Sequence, residues 1–273
     1  MTHAPRRRTY ALSLPCLLLF CGLRAGAQEP SVQDIIRNSV AANKRDFDAA
    51  GDFNWKERDR TPQGFKTYQV TMLEGTPYYR LTAINDRPLS SDQEAQEVHK
   101  QKREADKRRK ESPETRRARI SKYQKERTRD NNMLNQLTEA FNFTLVGTKK
   151  VRGFDVWVLK ATPRPDYQPP NLDARVLTGM EGELWVDQSS YNWVHVQAAV
   201  IHPVSIEGFL AKVEPGTQFE LQQQPIVNGI WQPSHYSMRA QAKVMMIFNH
   251  NSQEDETYWD YQRVASTRAA STN

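Results

Sequence analysis

From Phe143 onward the chain reads as strand after strand joined by short turns, and this leaves few architectures open. Thr144-Leu145-Val146 and Val156-Trp157-Val158-Leu159 flank a turn at Arg152-Gly153, followed by a proline-rich loop over 163–170. Glu183-Leu184-Trp185-Val186-Asp187 and Trp193-Val194-His195-Val196 flank residues 188–192 as a hairpin. Further strands are expected at 218–222, 229–231, 236–248 and 256–263. Turn signals recur at short intervals with no helical pattern between them, which predicts an antiparallel meander rather than βαβ units. The meander shows no repeat of fixed period.

The first part of the chain adds a helix and more strands. Residues 31–45 have Ser31 as N-cap, Asp34 three residues on, and a narrow apolar stripe of Ile35, Ile36, Val40 and Ala41. Phe53 and Trp55 alternate with polar residues, as do Tyr68, Val70 and Met72. Glu74-Gly75-Thr76-Pro77 then turns the chain into a strand over 78–84.

The N-terminus is set apart from this fold. Arg6-Arg7-Arg8 precede an apolar run over 11–22, and Ala25-Gly26-Ala27 is an A-x-A cleavage box, the pattern of a secretory signal peptide over 1–27. The apolar run is about a dozen residues, short of the roughly 20 a spanning helix needs. Cleavage after Ala27 would leave Gln28 as the first residue of an exported protein. Both cysteines, Cys16 and Cys21, lie in the leader, so no disulfide or cysteine nucleophile is expected in the exported part. The leader also carries four arginines and no acid. The exported part has 34 basic against 32 acidic residues, a net charge of +2, which removes most of the support for nucleic-acid binding.

One segment departs from the strand pattern. Residues 92–130, from Asp92 to Asp130, hold 14 Lys/Arg and 9 Asp/Glu, and apolar residues nearly vanish over 99–117. Its composition favours helix, and Ser112-Pro113 interrupts it, which predicts two helices or one broken helix. A third helical stretch is expected over 132–141, where Leu134, Leu137 and Phe141 restore apolar spacing. The domain expectation is therefore a single unit over 28–273 with a charged helical insertion at about 88–141. This basic arm reads either as a solvated hairpin with paired charges or as a surface for anionic headgroups or an envelope protein. It lacks the apolar face that membrane insertion requires.

No catalytic residue, metal site or cofactor is read from the sequence. It has no G-x-S-x-G elbow, H-E-x-x-H, Walker loop or G-x-G-x-x-G. Five histidines remain after the leader (His99, His195, His202, His235 and His250), scattered as surface residues are, with His195 expected opposite Val194 and Val196. Glu254-Asp255-Glu256 reads as a solvated strand end or, less simply, as a carboxylate run able to hold a cation. The expected class is a non-enzymatic protein, with an unrecognised hydrolase as a rival.

Large aromatics occur about once per expected strand, which suits either plain core packing or an apolar concavity. The C-terminal half also carries a rhythm: Gly182-Glu183-Leu184-Trp185-Val186-Asp187, then Trp193-Val194-His195-Val196, then Asn228-Gly229-Ile230-Trp231-Gln232-Pro233. With the leader and the short amphipathic helix before it, this pattern resembles the LolA/LolB-type outer-membrane lipoprotein-sorting proteins, over roughly 28–263. The charged arm is longer than that pattern leads one to expect.

The resemblance implies a mainly β fold, in which a strongly curved antiparallel sheet forms a half-open barrel with helices over its concave face. It further implies a periplasmic carrier of lipoprotein acyl chains or another amphiphilic lipid, with no cofactor and no bond cleavage. The residues expected to line its cavity are Trp157, Trp185, Phe209, Phe219 and Trp231, faced by Ile35 and Ile36 on the helix. An envelope interaction scaffold that docks a partner through the basic arm is the other reading. A one-residue slip in strand register would send every one of these side chains to the other face.

Overall fold

The computed structural model describes residues 29–205, 211–244 and 248–264. All but Glu29 and Pro30 of these belong to one compact unit, Ser31–Asn273. The leader expected over 1–27 lies outside the described residues.

Helix α1 (Val32–Ala49) begins where Ser31 caps it. The Ser31 side chain accepts from the Asp34 amide, and Asp34 in the first turn suits the positive end of the helix dipole. Strands β1 (Phe53–Thr61), β2 (Gly64–Leu73), β3 (Thr76–Ile84) and the short β4 (Arg87–Pro88) follow as a meander. Then come α2 (Ser91–Arg109) and α3 (Pro113–Ala140), separated at Ser112-Pro113 as the sequence predicts. Ser90 and Gln93 form a capping box on α2, while Ser112 caps α3 with Pro113 in its first turn. The separate third helix expected over 132–141 does not exist. Nothing between 113 and 140 breaks α3, and apolar spacing resumes within one continuous helix.

The second strand series is β5 (Phe141–Val151), β6 (Phe154–Pro163), β7 (Met180–Asp187), β8 (Trp193–Val200), β9 (Val204–Ser205), β10 (Ala211–Val213), β11 (Gln218–Val227), β12 (Ile230–Val244) and β13 (Phe248–Arg263). It is not free of helix. After the proline-rich loop, α4 (Leu172–Arg175) makes one turn capped by Asn171 and runs into a 3-10 turn, Val176–Gly179. The strand expected at 229–231 opens β12, and the one expected at 236–248 runs within β12 as far as Val244, with 245–247 outside the described residues and Phe248 beginning β13.

The strands pair antiparallel in the order β4-β3-β2-β1-β13-β12-β11-β8-β7-β6-β5, with β9 and β10 at the side. Among the described residues the end strands, β4 and β5, do not meet, so the sheet is a half-open barrel. Its two sequence-local meanders are joined through one long-range pairing, β1 with β13. Among the described residues no helix is long and apolar enough to cross a membrane.

Helix α1 lies on one face of this sheet. Ile35 and Ile36 pack against Trp157, Leu159, Leu184, Val186 and Trp193, with Val196, Leu221 and Leu137 at the margin. Fully burying one such aliphatic side chain is worth about 1.5–3 kcal/mol, so this cluster is what holds the helix down. Leu137 at the end of α3 also joins a second cluster of Ala140, Phe141, Ala161, Leu177, Met180 and Val200.

The charged insertion is fastened to the sheet by arginines. Arg108 is only 8% exposed, and its Nη1 donates to the carbonyls of Leu73 and Thr76 and to Thr76 Oγ1 at 3.0–3.1 Å, while Nε donates to Glu104. Arg119 donates to the Glu74 carbonyl and Thr76 Oγ1 and pairs with Glu111 through two nitrogens. Both arginines grip the β2–β3 turn, where Glu74 and Gly75 take positive φ. Further along α3, Arg127 lies over the Phe47 ring and donates to the Phe47 carbonyl of α1. Replacing Arg108 by Ala takes the donor from one buried and one part-buried carbonyl and leaves Glu104 with Lys107 alone. The expected cost is about 3 kcal/mol, read as a lower urea midpoint at unchanged slope. Arg108→Lys should recover only part of it, since an ammonium cannot reproduce the guanidinium fork.

Candidate functional site

The register of the ladders traces one face of the sheet from edge to edge. Starting under α1, Leu159, Leu184, Val196 and Leu221 are successive cross-strand neighbours. Leu221 is followed by Tyr236 on β12, Glu256 on β13, Asp59 on β1 and Lys66 on β2. One step along, Phe219 opposes Met238, which opposes Glu254, and Tyr258 opposes Glu57, which opposes Tyr68. This face is concave and has two chemically different halves.

The apolar half lies under α1 and continues past it. Phe219 and Tyr236 meet edge to face, with ring centroids 5.6 Å apart, and are half-buried like Met238. The other half is acidic and aromatic. Glu57 is 6% exposed and accepts from Trp55 Nε1 at 2.9 Å. Burial is the main cause that pushes its carboxyl up to about 8, and the neighbouring Asp59 and Glu256 add to it. Burial also raises Asp59 and Glu256 above the ordinary carboxyl range, although the Tyr258 hydroxyl donates to Glu256 and opposes the shift there. Trp55 stacks with Tyr261 at 6.4 Å, and Tyr68 meets Tyr79 edge to face at 6.0 Å.

The residues expected to line a cavity fall in three places. Ile35, Ile36 and Trp157 come together in the cluster under α1, and Phe219 shares their face further along. Trp185 and Trp231 lie on the opposite face, with Val156, Val158, Val194 and Phe154. Phe209 lies outside the described residues. Two local features send the tryptophans away from the helix. The β6–β7 register sets Trp157 against Val186 and Trp185 against Val158, so Trp185 faces away from Trp157. The β7–β8 ladder also shifts register between the Trp185–His195 and Val186–Trp193 pairs, so Val194 becomes the extra residue. Val194 therefore shares a side with His195, rather than opposing it as strict alternation predicts. On β12, Gln232 turns towards α1 and donates to the Asp46 carbonyl, which puts Trp231 on the other side.

The opposite face is polar around its aromatic patch. Lys149 Nζ sits 3.1 Å from the Trp185 ring centroid, and the His195 ring is 4.2 Å from it. Burial lowers the His195 imidazole below its ordinary range, against the pull of the nearby Glu220. A groove of about 650 Å³ on this side is lined by Lys160, Glu183, Gln197, Glu220, Arg239 and Asp255 among others. The Glu254-Asp255-Glu256 run does not act as one group. Glu254 and Glu256 point to the concave face, whereas Asp255 points to the opposite face, near His235 and Arg60. Glu57 and Asp59 went unnoticed in the sequence, though their alternation with Lys56, Arg58 and Arg60 marks one strand face as acidic and the other as basic.

A scan against protein-family models finds no match, and neither does a search of curated proteins. Among solved structures, the chain is similar to a LolA superfamily protein from Nitrosomonas europaea. The two are 12% identical over 86% of this chain and 94% of that one, with a TM-score of 0.32. A putative outer membrane lipoprotein-sorting protein domain from Vibrio parahaemolyticus is 11% identical over 86% and 95%, TM-score 0.31. A DUF1329 family protein from Desulfovibrio piger is 8% identical over 86% and 94%, TM-score 0.30.

Proposed function

We propose that this chain is an exported, periplasmic, non-enzymatic binding protein that takes the apolar part of an amphiphile, such as a lipoprotein acyl chain, against its concave face. The observation that supports this reading is the state of that face. Helix α1 closes it through the aliphatic side chains Ile35 and Ile36, with Val32 beside them. Beyond the helix, Leu221, Phe219, Tyr236 and Met238 continue the apolar surface half-buried. An acyl chain laid along them is bound by area burial, at about 25 cal/mol per Å² of apolar surface removed from water. Cargo uptake then needs either α1 to lift or the chain to thread beside it.

The test is native mass spectrometry with lipid extraction on protein purified without detergent, alongside uptake of a fluorescent fatty-acid probe. A co-purifying lipid or acylated peptide, with probe uptake lowered at least about tenfold in Phe219→Arg, is expected, because a cation in an apolar groove is costly to desolvate. A clean apo mass with no probe uptake would sink the reading.

A second reading keeps the barrel as scaffold and uses the insertion to dock an anionic membrane surface or envelope protein. It rests on the exposed cations Lys102, Arg103 and Lys110 of α2 and its end. Deleting 92–130 would not separate the two readings, since Arg108, Arg119 and Arg127 hold the sheet and α1. Reversing Lys102, Arg103 and Lys110 to Glu does separate them, because a carrier keeps its ligand and a docking protein loses its partner.

A further inference from the structure

We propose that Glu57, Asp59 and Glu256 make the β1–β13 pairing a proton-operated joint, in which a proton held among the three carboxyls keeps the seam closed and its loss lets the seam open. Such a joint operates whatever the concave face binds.

The geometry that carries it is the placement of three acids on one face of two neighbouring strands. Asp59 and Glu256 are directly opposed in the β1–β13 register. Side chains at such positions have their Cβ atoms about 4.5–5.5 Å apart, and like charges there destabilise the ladder. Glu57 lies two residues from Asp59 on the same face, and the two carboxyls are within hydrogen-bonding reach of each other. Two carboxyl groups can share such a bond only if one of them carries a proton. Asp59 Oδ1 is shut off from solvent and has no other partner, and Glu57 is almost wholly buried.

The cations of β1 do not relieve this arrangement. Lys56, Arg58 and Arg60 project to the opposite face, where they pair with Asp260, Asp86 and Asp255. On the concave side, β2 presents Lys66 and Tyr68, β3 presents Tyr79, β13 adds Glu254, Tyr258 and Tyr261, and β12 adds Tyr236. Tyr123 of α3 approaches Tyr79. Lys66 opposes Asp59 in register, but one lysine cannot balance three carboxylates. Burial holds the hydroxyls of Tyr68, Tyr79, Tyr123, Tyr258 and Tyr261 protonated, so they bring no charge at any pH of interest.

Linkage gives the direction of the effect. A carboxyl held up to about 8 in the closed seam, and near its ordinary value once exposed, favours closure fully below the ordinary value. That stabilisation is lost progressively as pH rises, and it is gone above about 8. For one proton the opening equilibrium therefore grows by up to about tenfold per pH unit between 5 and 8, then levels off.

Hydrogen–deuterium exchange of the intact protein from pH 5 to 9, corrected for intrinsic rates, tests this. Amides of β1 and β13 should lose protection with that slope and plateau, while those of β6 and β7 should not. Glu57→Gln, which retains an acceptor for Trp55 Nε1, should flatten the slope. If that variant fails to fold, Glu256→Gln removes the opposing charge at a less buried position and should lower the slope in the same direction. Wild-type protection independent of pH, an equal slope in β6–β7, or an unchanged slope in the variant that folds would each overturn the proposal.

Discussion

Asp46→Ala should lower the free energy of unfolding by about 3 kcal/mol, through the loss of a buried acceptor and the stranding of its donor. Asp46 sits in the last turns of α1, almost wholly buried. Its carboxylate takes Nδ2 of Asn192 on one oxygen and Nε of Arg45 on the other, at 3.0 Å. Asn192 closes the β7–β8 hairpin and is fully buried, so no solvent waits to replace the lost partner. Gln232 donates to the Asp46 carbonyl at 2.8 Å, which ties the same turn of helix to β12. Urea denaturation measures the loss, and a value below about 1 kcal/mol would mean that Asn192 finds another acceptor. Asp46→Asn keeps an oxygen in place and should cost much less. Burial raises the Asp46 carboxyl above its ordinary value. The wild-type group thus stabilises the fold best when protonated, and the deficit of Asp46→Asn should shrink from pH 4 to 7.

Trp157→Ala and Trp231→Ala should cost a similar amount of stability, about 3–5 kcal/mol, and differ in everything else. Trp157 lies beneath α1, its ring 5.4 Å from that of Tyr191, and its removal opens a hollow on the concave face against Ile35 and Ile36. Trp231 meets Phe154 at a tilt, ring centroids 4.9 Å apart, on the opposite face, away from the helix. If the concave face takes the cargo, fluorescent fatty-acid uptake changes in Trp157→Ala and stays at the wild-type level in Trp231→Ala. Equal effects on uptake would remove the distinction between the faces on which the proposed binding reading rests.

Local features of the fold were legible from residues close in sequence. The start of α1 followed from Ser31 and Asp34, the break between α2 and α3 from Ser112-Pro113, and the β7–β8 hairpin from the turn residues between two apolar runs. What could not be read was which side chain shares a face with which. Strict alternation put Val194 opposite His195, and one extra residue in β8 was enough to bring them to one side, while the face of Trp185 follows from the β6–β7 register and that of Trp231 from Gln232 turning to α1. The acidic half of the concave face was hidden for a different reason. Glu57 and Asp59 come from the first strand and Glu256 from the last, and no short-range pattern announces that those strands pair.

That pairing also sets an order of events for the chain as it is made. Emerging N-terminus first, β1 to β4 can form their meander early, but the free edge of β1 has no neighbour until the final strand arrives. Closing so long a loop is entropically slow, and an unpaired strand edge invites the wrong partner in the meantime. A chain that stops short of β13 leaves that edge bare for good, with buried acids facing a gap. C-terminal truncation should therefore produce aggregation rather than a smaller working protein.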